Sequence, residues 1–288
     1  MIEKININGK DLSFDKLFER SLVDLSEEIP RPDTLISIGT HEYNGKTYPN
    51  DVMTAGEFSV ITAPSKTRKT FYKSALCASY IGGKTNEYFP NIKSHRTEEF
   101  SIIDADTEQS EYYAQRSFRR VFDMVGGVYD NYFPLRMRFM SSNERLLFLD
   151  RLLYSDKIPK PKLLFIDGIA DLIEDTNDLV MSNEVVQYVM KWTDELQIHI
   201  CTIIHTAHGA PKATGHLGSA VTKKAETVFN LSRDGDGMNA PTKVVHSYSR
   251  GYPFDDFYFN VDNGLPYLCD HTETRITNES ILNGSTPF

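Results

Sequence analysis

The stretch FSVITAPSKTRKT, residues 58–70, decides the fold. A short apolar run leads into a polar turn and then into a segment that predicts a helix. This is the context in which a helix N-terminus holds phosphate groups. The phosphate-binding P-loop follows the frame G-x-x-x-x-G-K-[ST]. Lys69 and Thr70 match that frame, whereas Ala63 and Arg68 stand where its two glycines are expected. The rest of the chain must decide whether residues 63–70, called the phosphate loop below, bind a nucleotide.

The composition is that of an ordinary globular protein. The chain has 288 residues, of which 40% are hydrophobic and 25% charged, enough for one large α/β domain or two modest ones. No apolar run approaches the roughly 18 residues of a membrane helix, and the N-terminus lacks the pattern of a secretion signal. The three cysteines have no C-x-x-C spacing. We therefore expect a cytoplasmic protein, with no membrane contact, whose cysteines are buried and bind no zinc.

The net charge of −9 bears on the choice of partner. It argues against a broad basic surface for nucleic acid. It does not exclude a ring-shaped motor, because such a motor needs only a few cationic groups at its pore.

The sequence pattern divides the chain into three regions. We expect an N-terminal arm over residues 1–50, an ATPase-like core over 51–269 and a polar tail over 270–288. Within the arm, residues 14–29 predict an amphipathic helix. Residues 41–51 predict a hairpin that turns at Asn44 and Gly45.

Apolar strands and helical segments alternate through the core, which predicts a mostly parallel α/β sheet with helices on both faces. The predicted strands cover residues 58–63, 99–106, 135–140, 162–169 and 198–204, and the predicted helices cover 69–80, 110–125, 143–155 and 183–197. Four later segments, 225–232, 242–250, 255–262 and 265–269, predict antiparallel strands that extend one edge of that sheet.

Polar side chains follow several of these strands. Asp104, Asp106 and Glu108 end the second strand, Asp167 ends the fourth and His205 follows the fifth. In an open α/β sheet the ligand binds at the carboxyl ends of the strands. Taken singly, these residues could instead be solvated loop acids, a carboxylate that caps a loop and a structural histidine. Their common placement favours a nucleotide site that uses ATP and Mg²⁺.

Each of these residues fits a step of phosphoryl chemistry. Glu108 could accept a proton from the attacking water. Asp167 could hold the water shell of Mg²⁺ next to Thr70. His205 could sense the γ-phosphate through a hydrogen bond.

The phosphate loop itself is the expected contact for the nucleotide. The candidate binding residues are Ala63, Pro64, Ser65, Lys66, Thr67, Arg68, Lys69 and Thr70, together with Asp167. Pro64 suits a tight turn. The Cβ of Arg68 must point away from the nucleotide, or the backbone must adjust, because a glycine is expected there. Its guanidinium could hold a phosphate or a neighbouring group.

Two further features concern partners. Arg250, beside Gly251, could reach the γ-phosphate of a neighbouring subunit, or it could be a surface arginine of a hairpin. The loop around Lys212 is rich in Gly, Ala and Thr, which predicts mobility and a contact with a partner. One lysine gives only slight support for single-stranded DNA as that partner.

The chain resembles the RecA-like ATPases of the RepA/DnaB hexameric helicase group, and within it the plasmid RepA-type branch. The resemblance covers about residues 30–262. It is carried by GEFSVITAPSKTRKT (56–70), IIDADTEQ (102–109), LLFIDGIADLI (163–173), CTIIHTAHG (201–209), GHLGSAVTKKAETVFNLSRDG (215–235), and SRG (249–251) with FYFNVD (257–262).

The resemblance implies a role for each matched residue. Lys69 and Thr70 would bind phosphate and Mg²⁺, and Asp167 would be the Walker B acid. Glu108 would be the catalytic base, His205 the γ-phosphate sensor and Arg250 a finger acting on the neighbouring subunit. The resemblance further implies a homo-oligomer, a six-membered ring with ATP at its subunit interfaces and single-stranded DNA in its pore.

The chain departs from the family pattern in its phosphate loop and near Arg250. The glycines of the loop are missing. Tyr248 stands where the family carries a basic residue, two positions before the finger. Three hypotheses therefore stay open. The protein is a ring-forming, helicase-like ATPase in replication or mobilisation of a plasmid, transposon or phage. Alternatively, it is a RecA-like ATPase switch in a protein assembly, or a degenerate nucleotide-binding protein that does not hydrolyse.

Overall fold

The computed structural model describes residues 4–7, 10–206, 215–235, 237 and 239–271. Contacts divide the chain into two units, Met1–Pro32 and Asp33–Phe288. The β3–β4 hairpin described below, which the sequence pattern assigns to the first 50 residues, thus belongs to the second unit.

The first unit contains a short antiparallel strand pair and one helix. Its elements are β1 (Lys4–Ile7), β2 (Lys10–Ser13) and α1 (Phe14–Ser21). The prediction that the helix continues to residue 29 is wrong. The side chain of Asp24 accepts hydrogen bonds from the backbone N–H and the hydroxyl of Ser26. This local turn competes with a further helical turn.

The second unit is built from twelve strands and five helices among the residues described. They are β3 (Thr34–Tyr43), β4 (Lys46–Thr54), β5 (Phe58–Ala63), α2 (Lys69–Ile81), β6 (Ile92–Ser94), β7 (Ser101–Asp106), α3 (Glu111–Val125), β8 (Tyr132–Arg136), α4 (Ser142–Leu153), β9 (Pro161–Asp167), α5 (Leu179–Leu196), β10 (His199–His205), α6 (Gly215–Lys224), β11 (Thr227–Arg233), β12 (Thr242–Ser249), β13 (Phe257–Asp262) and β14 (Leu265–Cys269). Short 3₁₀ helices cover Gly83–Glu87 and Ile169–Leu172.

A nine-stranded sheet with the order β14-β13-β12-β11-β5-β10-β9-β7-β8 forms the centre. The strands from β8 to β11 in this order pair in parallel, and β12, β13 and β14 extend the β11 edge in antiparallel fashion. The predicted sheet and its antiparallel extension are confirmed. All six residues of β5 and of β7 are buried, as expected for strands covered on both faces.

Two apolar layers cover the sheet. On one face the buried side chains come from α2, α3 and the smaller sheet β4-β3-β6. On the other face they come from α4, α5 and α6, and Trp192 is fully buried there. Its indole Nε1 donates to Asp150 Oδ1 (2.8 Å), which satisfies the one polar atom of that side chain. Each such side chain contributes roughly 1.5–3 kcal/mol of gross burial energy.

Several predicted boundaries change for local reasons. The third predicted strand, 135–140, is instead Tyr132–Arg136. Beyond it the N–H of Met137 still bonds to Asp106 O, but the N–H of Met140 turns back to Met137 O. Residues 215–219, predicted as loop, form the first turn of α6, because Leu217 is buried against the α5 side of the sheet.

Other expectations hold. The hairpin of β3 and β4 turns at Asn44 and Gly45, as predicted. The three cysteines are all free and buried. Among the residues that the structure describes, no helix is both long enough and apolar enough to span a bilayer.

Candidate nucleotide-binding site

The carboxyl ends of four neighbouring strands meet at one edge of the large sheet. His205 of β10 lies beside Ala63 of β5, and Asp106 of β7 lies beside Asp167 of β9. A pocket of about 360 Å³ opens there. It is lined by Lys66, Thr67, Arg68, Lys69, Thr70, Phe71, Glu108, Gln109, Arg120, Asp167 and His205. The structure thus brings most of the predicted site residues to a single pocket.

The phosphate loop keeps the backbone conformation of a glycine-containing loop without its glycines. Arg68, which precedes the first residue of α2, has φ +66° and ψ +30°, in the left-handed region. Lys66 also has a positive φ, +63°. The hydroxyl of Thr67 donates to Pro64 O (2.7 Å) and closes the turn. Glycine is favoured in the left-handed region because any Cβ is strained there, so Arg68 holds at some cost the conformation that the frame requires.

The side chain of Arg68 is anchored to the antiparallel edge of the sheet. Its Nη1 donates to Asn260 Oδ1 on β13 (2.6 Å), and Asn260 Nδ2 donates to Asn239 O (2.8 Å). Burial, together with the charge of Arg233, lowers the pKa of Arg68 to about 10. The guanidinium stays charged at neutral pH and ties the start of α2 to β13.

Lys69, His205 and Glu108 form one hydrogen-bonded chain. Lys69 Nζ donates to His205 Nδ1 (2.9 Å) and to Pro64 O (2.9 Å). His205 Nε2 lies 3.2 Å from Glu108 Oε1. Because a lysine ammonium has only donors, Nδ1 must accept, and Nε2 then carries the proton that His205 donates to Glu108. Ser65 Oγ is a more distant neighbour of His205 Nδ1, at 3.4 Å.

The charges of this chain support one another. The hydrogen bond from His205 lowers the pKa of Glu108, against the opposing effect of burial. Burial lowers the pKa of Lys69, whereas the carboxylates of Glu108 and Asp167 raise it. A carboxylate and an ammonium joined through a neutral imidazole are therefore ready to respond to an arriving phosphate.

The loop that carries Glu108 is fixed by its neighbours. Asp106 Oδ1 accepts from the N–H of Glu108 (3.0 Å) and of Gln109 (2.8 Å). The Thr107 hydroxyl lies 2.6 Å from Asp171 Oδ2 and 2.8 Å from Asp167 O.

Gly168 makes this close approach of the Thr107 loop and β9 feasible. Its φ is +107°, and an added Cβ would meet Thr107 Oγ1 at 2.3 Å. Neither Thr107 nor Gly168 is predicted from the sequence pattern. The glycine directly after a strand-end aspartate is the signal that could have indicated them.

Asp167 belongs to a buried ionic cluster around a lysine that the sequence pattern does not reveal. Lys73 Nζ lies 2.6 Å from Asp104 Oδ1 and 3.3 Å from Asp167 Oδ2, and Lys73 is fully buried. The Tyr132 hydroxyl donates to Asp104 Oδ2 (2.7 Å). Burial acts to lower the pKa of Lys73, but the carboxylates outweigh it, Asp104 above all, and the pKa is raised. Burial raises the pKa of Asp167.

The donor set fits a hydrated Mg²⁺ ion. Thr70 and Asp167 line the same pocket as Lys69. Asp167 Oδ2 is buried and accepts no hydrogen bond from any group in the part of the chain that the structure describes. Hydroxyl and carboxylate oxygens are ligands that Mg²⁺ prefers, and it retains several waters. Within the same residues no group of three or more His, Cys, Asp and Glu side chains is arranged to hold a metal ion.

One wall of the pocket is aromatic and cationic, which the sequence pattern also does not reveal. The guanidinium of Arg120 on α3 lies 3.7 Å from the ring centroid of Phe71 on α2. It donates to Ser74 Oγ (3.2 Å) and to Gly264 O (3.1 Å). Burial, followed by the nearby charge of Arg116, lowers its pKa to about 10. The result is a flat cation fixed beside Thr70.

Arg250 lies elsewhere. It directly follows β12, whose last residues pair with the start of β11, at the amino end of β5. Its Nη1 donates to Glu57 Oε1 (2.6 Å) and its Nη2 to Lys224 O (3.0 Å). Arg250 is therefore at the opposite end of β5 from Lys69 and does not line the pocket of its own chain. The predicted partner loop around Lys212 lies outside the described residues.

The comparisons with known proteins concern the fold. No family model matches the sequence, and no curated protein matches it. Among solved structures, the chain is similar to the ATPase domain of a DnaB-like helicase with a TM-score of 0.53 and 12% identity, over 74% of this chain and 85% of that chain. The architecture described above and this likeness together show a RecA-like P-loop α/β fold, in agreement with the fold class predicted from the sequence.

Proposed function

We propose that the protein binds ATP at the phosphate loop and hydrolyses it with Mg²⁺. The observation that carries this proposal is the chain Lys69–His205–Glu108, in which the residues predicted for phosphate binding, sensing and proton transfer are hydrogen-bonded to one another. The likeness to a helicase ATPase domain supports the same proposal through the fold.

The geometry assigns a task to each group. Lys69 contacts the β- and γ-phosphates, and the N–H groups at the start of α2 face them. Glu108 Oε1 accepts a proton from the attacking water, a role that typically contributes about 10²–10⁴-fold to rate. Thr70 and Asp167 hold the Mg²⁺ and its waters, and the ion neutralises charge on the phosphates.

His205 is placed to couple these events. It accepts from Lys69 and donates to Glu108 when the site is without nucleotide. A γ-phosphate that draws Lys69 away leaves His205 Nδ1 without its donor, and the imidazole then reorients. His205 follows directly from β10, so this movement reaches the segment that precedes α6. This is the basis for the proposed sensing role.

The hypothesis of a degenerate, non-hydrolysing protein rests on Arg68. The left-handed backbone of Arg68 supports a working phosphate loop, because the conformation usually supplied by glycine is present. The anchoring of its guanidinium to Asn260 keeps the side chain occupied away from Lys69.

We further propose that the protein forms a homo-oligomeric ring, with six members as the family resemblance implies, that acts on single-stranded DNA. Arg250 supports this, because it lies far from its own pocket and partly exposed, as a residue acting on a neighbouring subunit would be. Unit Met1–Pro32 is proposed as an arm for a neighbouring subunit, because α1 has no buried residue and the exposed rings of Phe14 and Phe18 stack on each other. DNA would contact the loop around Lys212.

The net charge of −9 favours a second candidate, an ATPase switch in a protein assembly that does not unwind DNA. The two functions are separated by the rate of phosphate release with and without single-stranded DNA, measured together with the mass of the oligomer. The motor predicts a ring and a rate that rises with DNA. A ring or smaller oligomer whose rate is unchanged by DNA and RNA would favour the switch. No ATP turnover under any of these conditions would contradict both.

A further inference from the structure

We propose that Lys73 is a resident counter-ion of Asp167, which keeps divalent cations out of the site until nucleotide phosphates arrive. The proposal rests on the proposed function, because it concerns the metal that would accompany ATP. It assigns to Lys73 a positioning role that neither the phosphate-loop frame nor the fold requires.

The placement of Lys73 follows from the helix. It lies four residues after Lys69 in α2, so both ammonium groups lie on the same side of the helix. Lys69 reaches the pocket, whereas Lys73 Nζ lies below it, 3.3 Å from Asp167 Oδ2. With none of its surface exposed, Lys73 has no water to balance its charge and depends on these carboxylates.

A simpler explanation is that Lys73 only pairs with Asp104, from which it is separated by 2.6 Å. Two observations argue for more. Asp104 lies two residues deeper in β7 than Asp106, and Asp106 is the residue directly opposite Asp167. Lys73 thus lies between a deep carboxylate and the one that faces the pocket. Moreover, Asp167 Oδ2 accepts no hydrogen bond among the described groups, so the ammonium is the charge that balances it.

The electrostatic consequence is an ordered entry of metal. A monovalent cation 3.3 Å from a carboxylate repels a divalent ion that approaches the same carboxylate, and it does so strongly where water is scarce. Lys69 adds a second positive charge at the pocket. The triphosphate of ATP brings enough negative charge to reverse this balance. We therefore expect a divalent cation to bind with the nucleotide and only weakly before it.

The test compares two variants that differ only in Lys73. Asp104→Asn removes the deep carboxylate and keeps the lysine, and Lys73→Met with Asp104→Asn removes both, so that no buried charge is left from the pair. Binding of Mn²⁺ alone to the nucleotide-free proteins is followed by electron paramagnetic resonance, with circular dichroism and thermal unfolding as checks of the fold. We expect the double variant to bind Mn²⁺ at least about ten-fold more tightly than Asp104→Asn. Equal affinities in the two folded variants would overturn the proposal.

A second measurement uses the unaltered protein, so the proposal stays testable if the double variant does not fold. Mn²⁺ binding is titrated with and without ATP. We expect tight Mn²⁺ binding only in the presence of ATP. Equally tight binding without nucleotide overturns the role of Lys73 and leaves the proposed ATPase intact. Absence of ATP binding with or without Mn²⁺ would instead contradict the proposed function itself.

Discussion

Arg68 offers the sharpest test of how the phosphate loop works without glycine. Two substitutions, Arg68→Gly and Arg68→Ala, both remove the hydrogen bond to Asn260, and they differ in the backbone strain. An alanine at φ +66° keeps the left-handed strain of about 1 kcal/mol, which glycine does not have. We therefore expect Arg68→Ala to be about 1 kcal/mol less stable than Arg68→Gly.

The difference from the unaltered protein follows from the same two contributions. A hydrogen bond to a charged group contributes about 1.5–3 kcal/mol. The lower end applies here, because Asn260 Oδ1 also accepts from the N–H of Val261 (2.9 Å) and Arg68 is only partly buried. Loss of about 1.5 kcal/mol, offset by about 1 kcal/mol of relieved strain, leaves Arg68→Gly within about 1 kcal/mol of the unaltered protein.

The assay is urea unfolding at neutral pH, with ATP affinity measured by calorimetry on the same samples. Lys66, at φ +63° and exposed, supplies a matched pair of substitutions, Lys66→Gly and Lys66→Ala, that report the backbone strain alone. ATP affinity should survive Arg68→Gly, since the loop conformation is kept. If Arg68→Ala is as stable as Arg68→Gly, or if Arg68→Gly abolishes ATP binding, the account of Arg68 as a strained substitute for glycine is refuted.

Three further predictions follow from the structure. Gly168→Ala should destabilise the fold by about 3 kcal/mol and slow ATP turnover, because the Cβ meets Thr107 Oγ1 at 2.3 Å with φ at +107°; Gly127→Ala, which meets nothing within 4 Å, should do neither in urea unfolding and turnover assays. Burial raises the pKa of Glu226 from 4.5 to about 7, so the folded state binds that proton more tightly and stability falls as pH rises from 4.5 to about 7. Glu226→Gln should remove this fall and gain on the order of 2 kcal/mol at pH 8 relative to pH 4.5, measured by urea unfolding at both pH values beside the exposed Glu98→Gln; an unchanged pH slope would contradict it. Finally, Arg250→Ala should lose ATP turnover and regain part of it when mixed with Lys69→Ala subunits that keep Arg250, and no recovery would argue against action on a neighbouring subunit.

The sequence predicts the central part of the fold well, and the reason is physical. Strand β5 is predicted with its observed bounds, because six buried residues followed by a polar turn leave one register. The strand-end placement of Asp167 and His205 follows from the same apolar runs. Once these strands pair in parallel, their carboxyl ends must share an edge, and the pocket follows.

What the sequence does not predict depends on tertiary contacts. Lys73 has the pattern of an ordinary helix residue, and only the packing of α2 on β7 and β9 shows that it is buried between two carboxylates. Arg120 reaches the pocket from α3 because it stacks on Phe71. The backbone of Arg68 cannot be inferred from its residue type, since arginine seldom adopts positive φ. The end of α1 depends on a local turn at Asp24 that competes with the amphipathic pattern.

The central claim is that Lys69, His205 and Glu108 form a site that binds and hydrolyses ATP. It is tested most directly by measuring retained ATP and released phosphate in parallel for the unaltered protein, Glu108→Gln and Lys69→Ala, each with Mg²⁺. We predict that the unaltered protein releases phosphate, that Glu108→Gln retains ATP while releasing phosphate at least about 100-fold more slowly, and that Lys69→Ala does neither. Normal phosphate release by Glu108→Gln, or ATP retention by Lys69→Ala equal to that of the unaltered protein, would contradict the account.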